Sequence, residues 1–189
     1  MLKKAASLDP WDAILASIAA GTYATDYAIN DLIPITVGTA TFNMQIVAFN
    51  ADPLASDSSK TAAISFVSEQ MVFKKRMNGS SAAWPNTELR TYLRGTYLDR
   101  FPANVKAAIK EVTKTYYDSS LSATQSGSDT IWLPSLREVN YYASGLTRED
   151  SGPNYSSAFP DNASRKKTAN GFTSTGRYWL RSNPYSSSM

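Results

Sequence analysis

The stretch Leu32-Ile33-Pro34-Ile35-Thr36-Val37, then Gly38, then Thr41-Phe42-Asn43-Met44-Gln45-Ile46-Val47-Ala48-Phe49, reads as two strands around a turn. In the second strand Phe42, Met44, Ile46 and Ala48 alternate with Asn43, Gln45 and Val47, the period of a sheet with one buried face. Pro34 cannot donate to a ladder, which pushes the first strand toward an edge. Upstream, Asp9 is suited to an N-cap and Pro10 to a first helical turn. Trp11, Ile14, Leu15 and Ile18 then recur at helical spacing before Gly21, which predicts an amphipathic helix over 10–20. Downstream, 52–59 reads as a loop and 62–67 as a short strand. Asn86 is positioned to cap a helix carrying Leu89, Tyr92 and Leu93, and Pro102 to open a small helix through Val105, Ala108 and Ile109. Residues 111–117 alternate as a strand, 118–129 form a Ser/Gly-rich loop, and Ile131-Trp132-Leu133 is a short apolar strand. Ser135-Leu136-Arg137-Glu138 is a capping box that starts a helix through Tyr142. Residues 147–177 show little periodicity, and Tyr178-Trp179-Leu180-Arg181 reads as a final strand before a polar tail. This order is that of a single α+β domain over 1–189, with its core in 30–146, rather than a βαβ alternation.

The chain has 189 residues, enough to bury a core, with 42% hydrophobic and 19% charged residues. It contains neither cysteine nor histidine, which removes disulfides, thiol nucleophiles, structural zinc and histidine-based acid–base chemistry. The net charge of +3 is unevenly placed: residues 1–57 hold two lysines against six aspartates, whereas Lys74-Lys75-Arg76 and Arg165-Lys166-Lys167 are basic clusters. A nucleic-acid footprint requires a denser basic stripe, so no nucleic-acid partner is expected, and the charges read as solvated loops. Met1-Leu2-Lys3-Lys4 imitates the start of a signal peptide, but Asp9, Pro10 and Asp12 interrupt the apolar run that must follow. No segment approaches the roughly 20 apolar residues of a membrane span, so no membrane partner is expected either.

Trp84…Glu88-Leu89-Arg90-x-Tyr92-Leu93, Ile109-Lys110-x-Val112-x-Lys114, Ile131-Trp132-Leu133-Pro134-Ser135-x-x-Glu138-Val139 and Tyr178-Trp179-Leu180-Arg181-Ser182 follow one another in order. Together with the helix ending in Ala20-Gly21, Ile46-Val47-Ala48-Phe49-Asn50 and Met77-Asn78, they resemble a domain of unknown function common in Gram-positive bacteria and their prophages, over roughly residues 10–182. The closing Trp-Leu-Arg-Ser also resembles, at the level of fold, the C-type-lectin-like domains of formylglycine-generating enzymes and phage receptor-binding proteins. The resemblance implies a mixed or antiparallel sheet with flanking helices. In the related domains the chain continues beyond this motif to a closing strand, which implies either a longer natural chain than Met189 or a sheet completed by another element.

The cysteines by which the formylglycine-generating relatives activate oxygen are absent, so that activity does not carry over. Glycoside cleavage needs only two carboxylates, and Glu149-Asp150, or Asp52 with Asp57, are the acids such a mechanism would use. Glu149, Asp150, Asn154, Asp161 and Asn162 offer oxygen ligands for calcium, but the Glu-Pro-Asn and Gln-Pro-Asp triplets of sugar-binding C-type lectins do not occur; neither metal nor cofactor is expected. The 11 tyrosines are more informative, because Tyr and Trp supply rigid amphipathic contact area. Tyr155, Tyr178, Trp179, Arg181, Asn183 and Tyr185 are the candidate ligand-binding residues, and Trp84, Arg90, Trp132 and Glu138 the structural ones. Arg181 also admits a structural reading: it recurs beside a tryptophan as Arg90 does, and either arginine can stack on a ring or fork onto a carboxylate such as Glu138.

The expectation is a non-enzymatic component of a phage or phage-derived particle: a fibre, tail-tip or head-decoration protein located in the virion. It would display a lectin-like surface to a bacterial cell-surface glycan or protein, assembled as a homo-oligomer with other virion subunits. The alternatives are a virion assembly protein without a ligand, marked by an exposed apolar patch on the Trp11 helix or last strand, and a carboxylate-based carbohydrate-active enzyme.

Overall fold

In the computed structural model the described residues are 9–79, 82–118, 120–141, 152–168, 175–176 and 180–181. Helix α1 (Pro10–Ala20) begins where Asp9 Oδ1 accepts the Trp11 amide and ends at Gly21, whose φ of 73° places it in the left-handed region that closes a helix. The α1 side chains Trp11 and Ile14 are buried, and the Trp11 indole donates to the Pro34 carbonyl at 2.9 Å, fastening the helix to β1. A short helix α2 (Tyr23–Asp26) follows.

Strands β1 (Leu32–Val37), β2 (Ala40–Phe49) and β3 (Ile64–Ser68) form an antiparallel sheet in the order β1-β2-β3. The proline-bearing strand is at an edge, as Pro34 requires. Ile33, Ile35 and Val37 alternate inward from β1 and meet Phe42, Trp84, Leu89, Leu93 and Val105 in the first core cluster. On β2 the simple alternation breaks: the register shifts between Ile46 and Ala48, and Val47 is buried at 2% exposure instead of lying on a polar face. The extra residue turns Val47 into a second cluster with Val139, Tyr155, Ala158 and Phe159. The sheet is therefore covered on both faces at this point.

Trp84–Asn86 form a 3-10 turn, and α3 (Glu88–Tyr92) starts at Thr87, whose hydroxyl accepts the Arg90 amide; the cap is Thr87 and not Asn86. A π-helical turn (Leu93–Tyr97) and a 3-10 turn (Leu98–Arg100) lead to α4 (Ala103–Ala108), with Pro102 at its N-cap. Strand β4 (Val112–Asp118) pairs along its whole length with β5 (Ala123–Asp129), the segment expected to be a loop. Nothing in Ala-Thr-Gln-Ser-Gly-Ser-Asp alternates in hydropathy; pairing with β4 makes it a strand. Ile131-Trp132-Leu133, by contrast, is not a strand and packs half-buried against the first cluster. Residues 136–140 form turns instead of a helix, ended by Asn140 at a φ of 54°. Strands β6 (Lys167–Thr168) and β7 (Thr175–Gly176) pair within the stretch expected to be irregular, and Leu180 and Arg181 are not in a strand. Tyr142, Tyr178 and Trp179 lie outside the described residues. The architecture is α+β, and no helix among the described residues is long and apolar enough to cross a membrane.

Candidate functional site

The chain leaving β2 runs antiparallel to β4: Leu54 bridges Val112, the Thr113 amide donates to the Pro53 carbonyl at 2.8 Å, and the Ala55 amide donates to the Glu111 carbonyl at 3.0 Å. Continuing that register by two residues sets Asp52 opposite Lys114. Val112, Lys114 and Tyr116 share the buried face of β4, so a lysine stands where alternation calls for an apolar side chain. Lys114 is 1% exposed. Its ammonium has three donors and three oxygen partners: Asp52 Oδ1 at 2.5 Å, Glu138 Oε1 at 2.9 Å and the Tyr155 hydroxyl at 3.0 Å. The Trp132 ring covers it, with Nζ 3.8 Å from the ring centroid.

Glu138 is held by the reciprocal bonds of the expected capping box. The Ser135 amide donates to Oε2 at 2.9 Å, and the Glu138 amide donates to Ser135 Oγ at 3.1 Å. The carboxylate also receives the fork of Arg181, with Nη1 on Oε2 at 3.1 Å and Nη2 on Oε1 at 3.0 Å. The rest of that guanidinium donates to the carbonyls of Thr115 and Leu133 at 2.7 and 2.5 Å, and the Arg181 amide donates to the Pro134 carbonyl. Asp52 accepts the Tyr155 hydroxyl at 2.9 Å on Oδ2, which also accepts the Ser65 hydroxyl. Two carboxylates thus meet two cations in a buried cluster whose charges cancel. Burial pushes the Glu138 carboxyl up, but the charges and hydrogen bonds of Arg181 and Lys114 outweigh it and hold the group down at about 2. Burial, then the Glu138 and Asp52 charges, push the Tyr155 hydroxyl well above its ordinary value, so it stays protonated and donating.

A second internal node ties β5 to α3. Asp129, 1% exposed, accepts the Trp84 indole at 2.8 Å and Arg90 Nε at 2.6 Å, while Arg90 also reaches the carbonyls of Ser128 and Pro85. A cavity of 1080 Å³ lies between the two core clusters, walled by Ile18, Phe66, Val72, Trp132 and Phe159 and bordered by Lys167. Burial pulls the Lys167 amine down to about 8 against the opposing charge of Glu69; its Nζ donates to Gln45 Oε1 at 3.1 Å. Exposed Phe73 and half-buried Tyr92 and Phe101 pack around the buried Tyr97 ring in edge-on and tilted contacts, with centroids 5.6 Å apart for Phe73–Tyr92, 4.8 Å for Phe73–Tyr97 and 5.6 Å for Tyr97–Phe101. Lys75 and Arg100 lie 4.6 and 5.9 Å from the Tyr92 centroid, and Phe73 is 37% exposed.

Tyr155 and Arg181, read from the sequence as ligand-binding, are therefore interior side chains whose polar atoms are engaged by Asp52, Lys114 and Glu138. Arg181 has the carboxylate-forking geometry of its structural reading. Tyr178, Trp179, Asn183 and Tyr185 lie outside the described residues, as do Glu149 and Asp150. Trp84 and Glu138 are buried; Arg90 and Trp132 are partly so, and both pack internally. Asp52 is fully buried and held by Lys114, Ser65 and Tyr155, while Asp57 is half-buried and bonded to Ser59 and Lys60, so each of these two acids is engaged by its own neighbours. Of the calcium candidates, Asp161 caps Ser164, Asn162 accepts from Arg165 and Asn154 donates to Asn140. Sequence reasoning missed Lys114 and Asp129; the available signal was a lysine on the inward phase of an otherwise alternating strand.

The family model described as a domain of unknown function, DUF6273, matches residues 62–189, well over half of the chain. The chain belongs to the DUF6273 family. No curated protein and no solved structure matches it. Within the DUF6273 match lie Lys114, Glu138, Tyr155 and Arg181, whereas Asp52 and the helix and strands α1 to β2 precede it. The buried cluster thus sews the leading segment to the DUF6273 region.

Proposed function

We propose that this DUF6273 chain is a display and binding module of a phage or phage-derived particle that holds a bacterial cell-surface glycan carrying anionic groups. The observation that carries this reading is the patch where exposed Phe73 meets half-buried Tyr92 edge-on, with Lys75 and Arg100 flanking the Tyr92 ring. Aromatic faces take the C–H face of a sugar, and the two cations take phosphate or carboxylate substituents. Each site would bind weakly, and repeated copies on a particle would raise the affinity by avidity. The internal saturation of the Asp52–Lys114–Glu138–Arg181 cluster supports a structural role for the most deeply buried charges, leaving recognition to the surface. The assembly alternative draws no support from α1, whose Trp11 and Ile14 are buried; the exposed large hydrophobic residues described are Leu32, Phe73 and Leu121, which come from separate parts of the sequence.

The test is calorimetric titration of the purified chain with anionic Gram-positive cell-wall glycans at two salt concentrations. Salt-weakened binding that Tyr92→Ala reduces by about fivefold is expected, since loss of one ring contact is worth on the order of 1 kcal/mol. Binding unchanged in Tyr92→Ala, or none at all, overturns the reading. Light scattering in the same buffers gives the oligomeric state on which avidity depends.

A further inference from the structure

The buried cluster brings an amine and a carboxyl group into the arrangement of two reactants. Lys114 Nζ lies 2.5 Å from Asp52 Oδ1, so the carboxyl carbon is one bond beyond the contact, and both side chains are buried at 1% and 0% exposure. The antiparallel register through Leu54 and Val112 holds the two segments in place, which replaces a bimolecular encounter by a fixed one. Around the pair stand groups for each remaining requirement. Glu138 Oε1 accepts from Nζ at 2.9 Å and holds the amine against Asp52. The Ser65 and Tyr155 hydroxyls both donate to Asp52 Oδ2, where negative charge develops when the carboxyl carbon is attacked. Trp132 and Tyr155 cover the amine and keep water from it.

We propose that Lys114 and Asp52 condense into an intramolecular isopeptide bond. Lys114 Nζ passes one proton to Asp52 Oδ1 across their contact, and the freed lone pair attacks Asp52 Cγ to give a tetrahedral centre whose Oδ2 charge is held by Ser65 and Tyr155. Nζ then releases a second proton, and Oδ1 leaves with both protons as water. One C–N bond forms, one C–O bond breaks, and the third ammonium proton remains as the amide N–H. No oxidant, metal or external acid is consumed, and Glu138 ends as it began. The product is also electrostatically simpler: one positive and one negative buried charge are removed, and the remaining pair, Glu138 with Arg181, stays matched and bidentate. The bond would join positions 62 residues apart in sequence, linking the segment after β2 to β4.

Intact-mass spectrometry of the full chain tests this without any variant. The expected mass is one water below that of the sequence, and proteolysis should yield a branched peptide joining the segments that carry Asp52 and Lys114. A full sequence mass overturns the proposal, as does a lost water mapped to any other site, such as an aspartimide. Glu138→Gln, which preserves size, is expected to retain the wild-type far-UV circular dichroism and the uncondensed mass; condensation as complete as in the wild type would overturn the role given to Glu138.

Discussion

Replacing Arg181 by lysine keeps the charge and removes the fork, and the structure sets what is lost. The guanidinium holds both Glu138 oxygens and the carbonyls of Thr115 and Leu133. A single ammonium at the end of a thinner stem can hold Glu138, but it cannot also reach two carbonyls lying in different directions. Each carbonyl left without a donor costs about 1–3 kcal/mol, and some of this returns as neighbours relax, so the net loss is about 3 kcal/mol. For a chain of this size that corresponds to a fall of about 6–12 °C in Tm. Urea denaturation at pH 7, with scanning calorimetry as a second probe, gives the difference directly. A loss below about 1 kcal/mol, the scale of an exposed ion pair, would refute the assignment of Arg181 as an interior strut. A double-mutant cycle with Glu138→Gln should show strong coupling, because the two side chains share two hydrogen bonds.

The Glu138 carboxyl, depressed from 4.5 to about 2 in the fold, contributes stability that is complete above pH 4.5 and disappears as pH falls toward 2. That contribution is about 3 kcal/mol, and Glu138→Gln should flatten the acid limb of a denaturation series between pH 6 and about 2. Lys167 has the opposite sense: its amine is lowered from 10.5 to about 8, so the folded state binds its proton less well than the unfolded chain. The penalty is complete below pH 8 and fades as pH rises to 10.5, so stability should climb across that window in the wild type and not in Lys167→Met. At Gly21, with φ at 73° and no atom near an added Cβ, Gly21→Ala should cost about 1 kcal/mol from backbone conformation alone, measurable as a shift in the urea midpoint at constant slope.

Local chemistry made part of this fold legible. Asp9, Pro10 and Gly21 delimit α1 because capping and left-handed closure depend on residues in the helix itself. Pro34 assigns β1 to an edge for an equally local reason. Elements set by partners were not legible: β5 is a strand because β4 lies beside it, and Ile131-Trp132-Leu133, with better strand composition, has no pairing partner in a named strand. The capping box at Ser135 and Glu138 formed its reciprocal bonds, yet produced only a turn, because Asn140 takes a positive φ and Glu138 is also held by Lys114 and Arg181. At the site, the pairing of Arg181 with Glu138 could be anticipated from an arginine and an acid recurring beside tryptophans. The place of Lys114 could not, since its partners lie far away in the chain.

That separation bears on how the protein is made. Asp52, Lys114, Glu138, Tyr155 and Arg181 emerge from the ribosome in that order, Arg181 last of the five. Until it arrives, Glu138 lacks its bidentate partner, and closing the core around the cluster would bury an excess negative charge. A truncated or nascent chain therefore has an electrostatic reason to remain open, and final closure waits on contacts of high sequence separation. Translation thus sets the moment at which the interior can seal, because the cluster is complete only once Arg181 has been made.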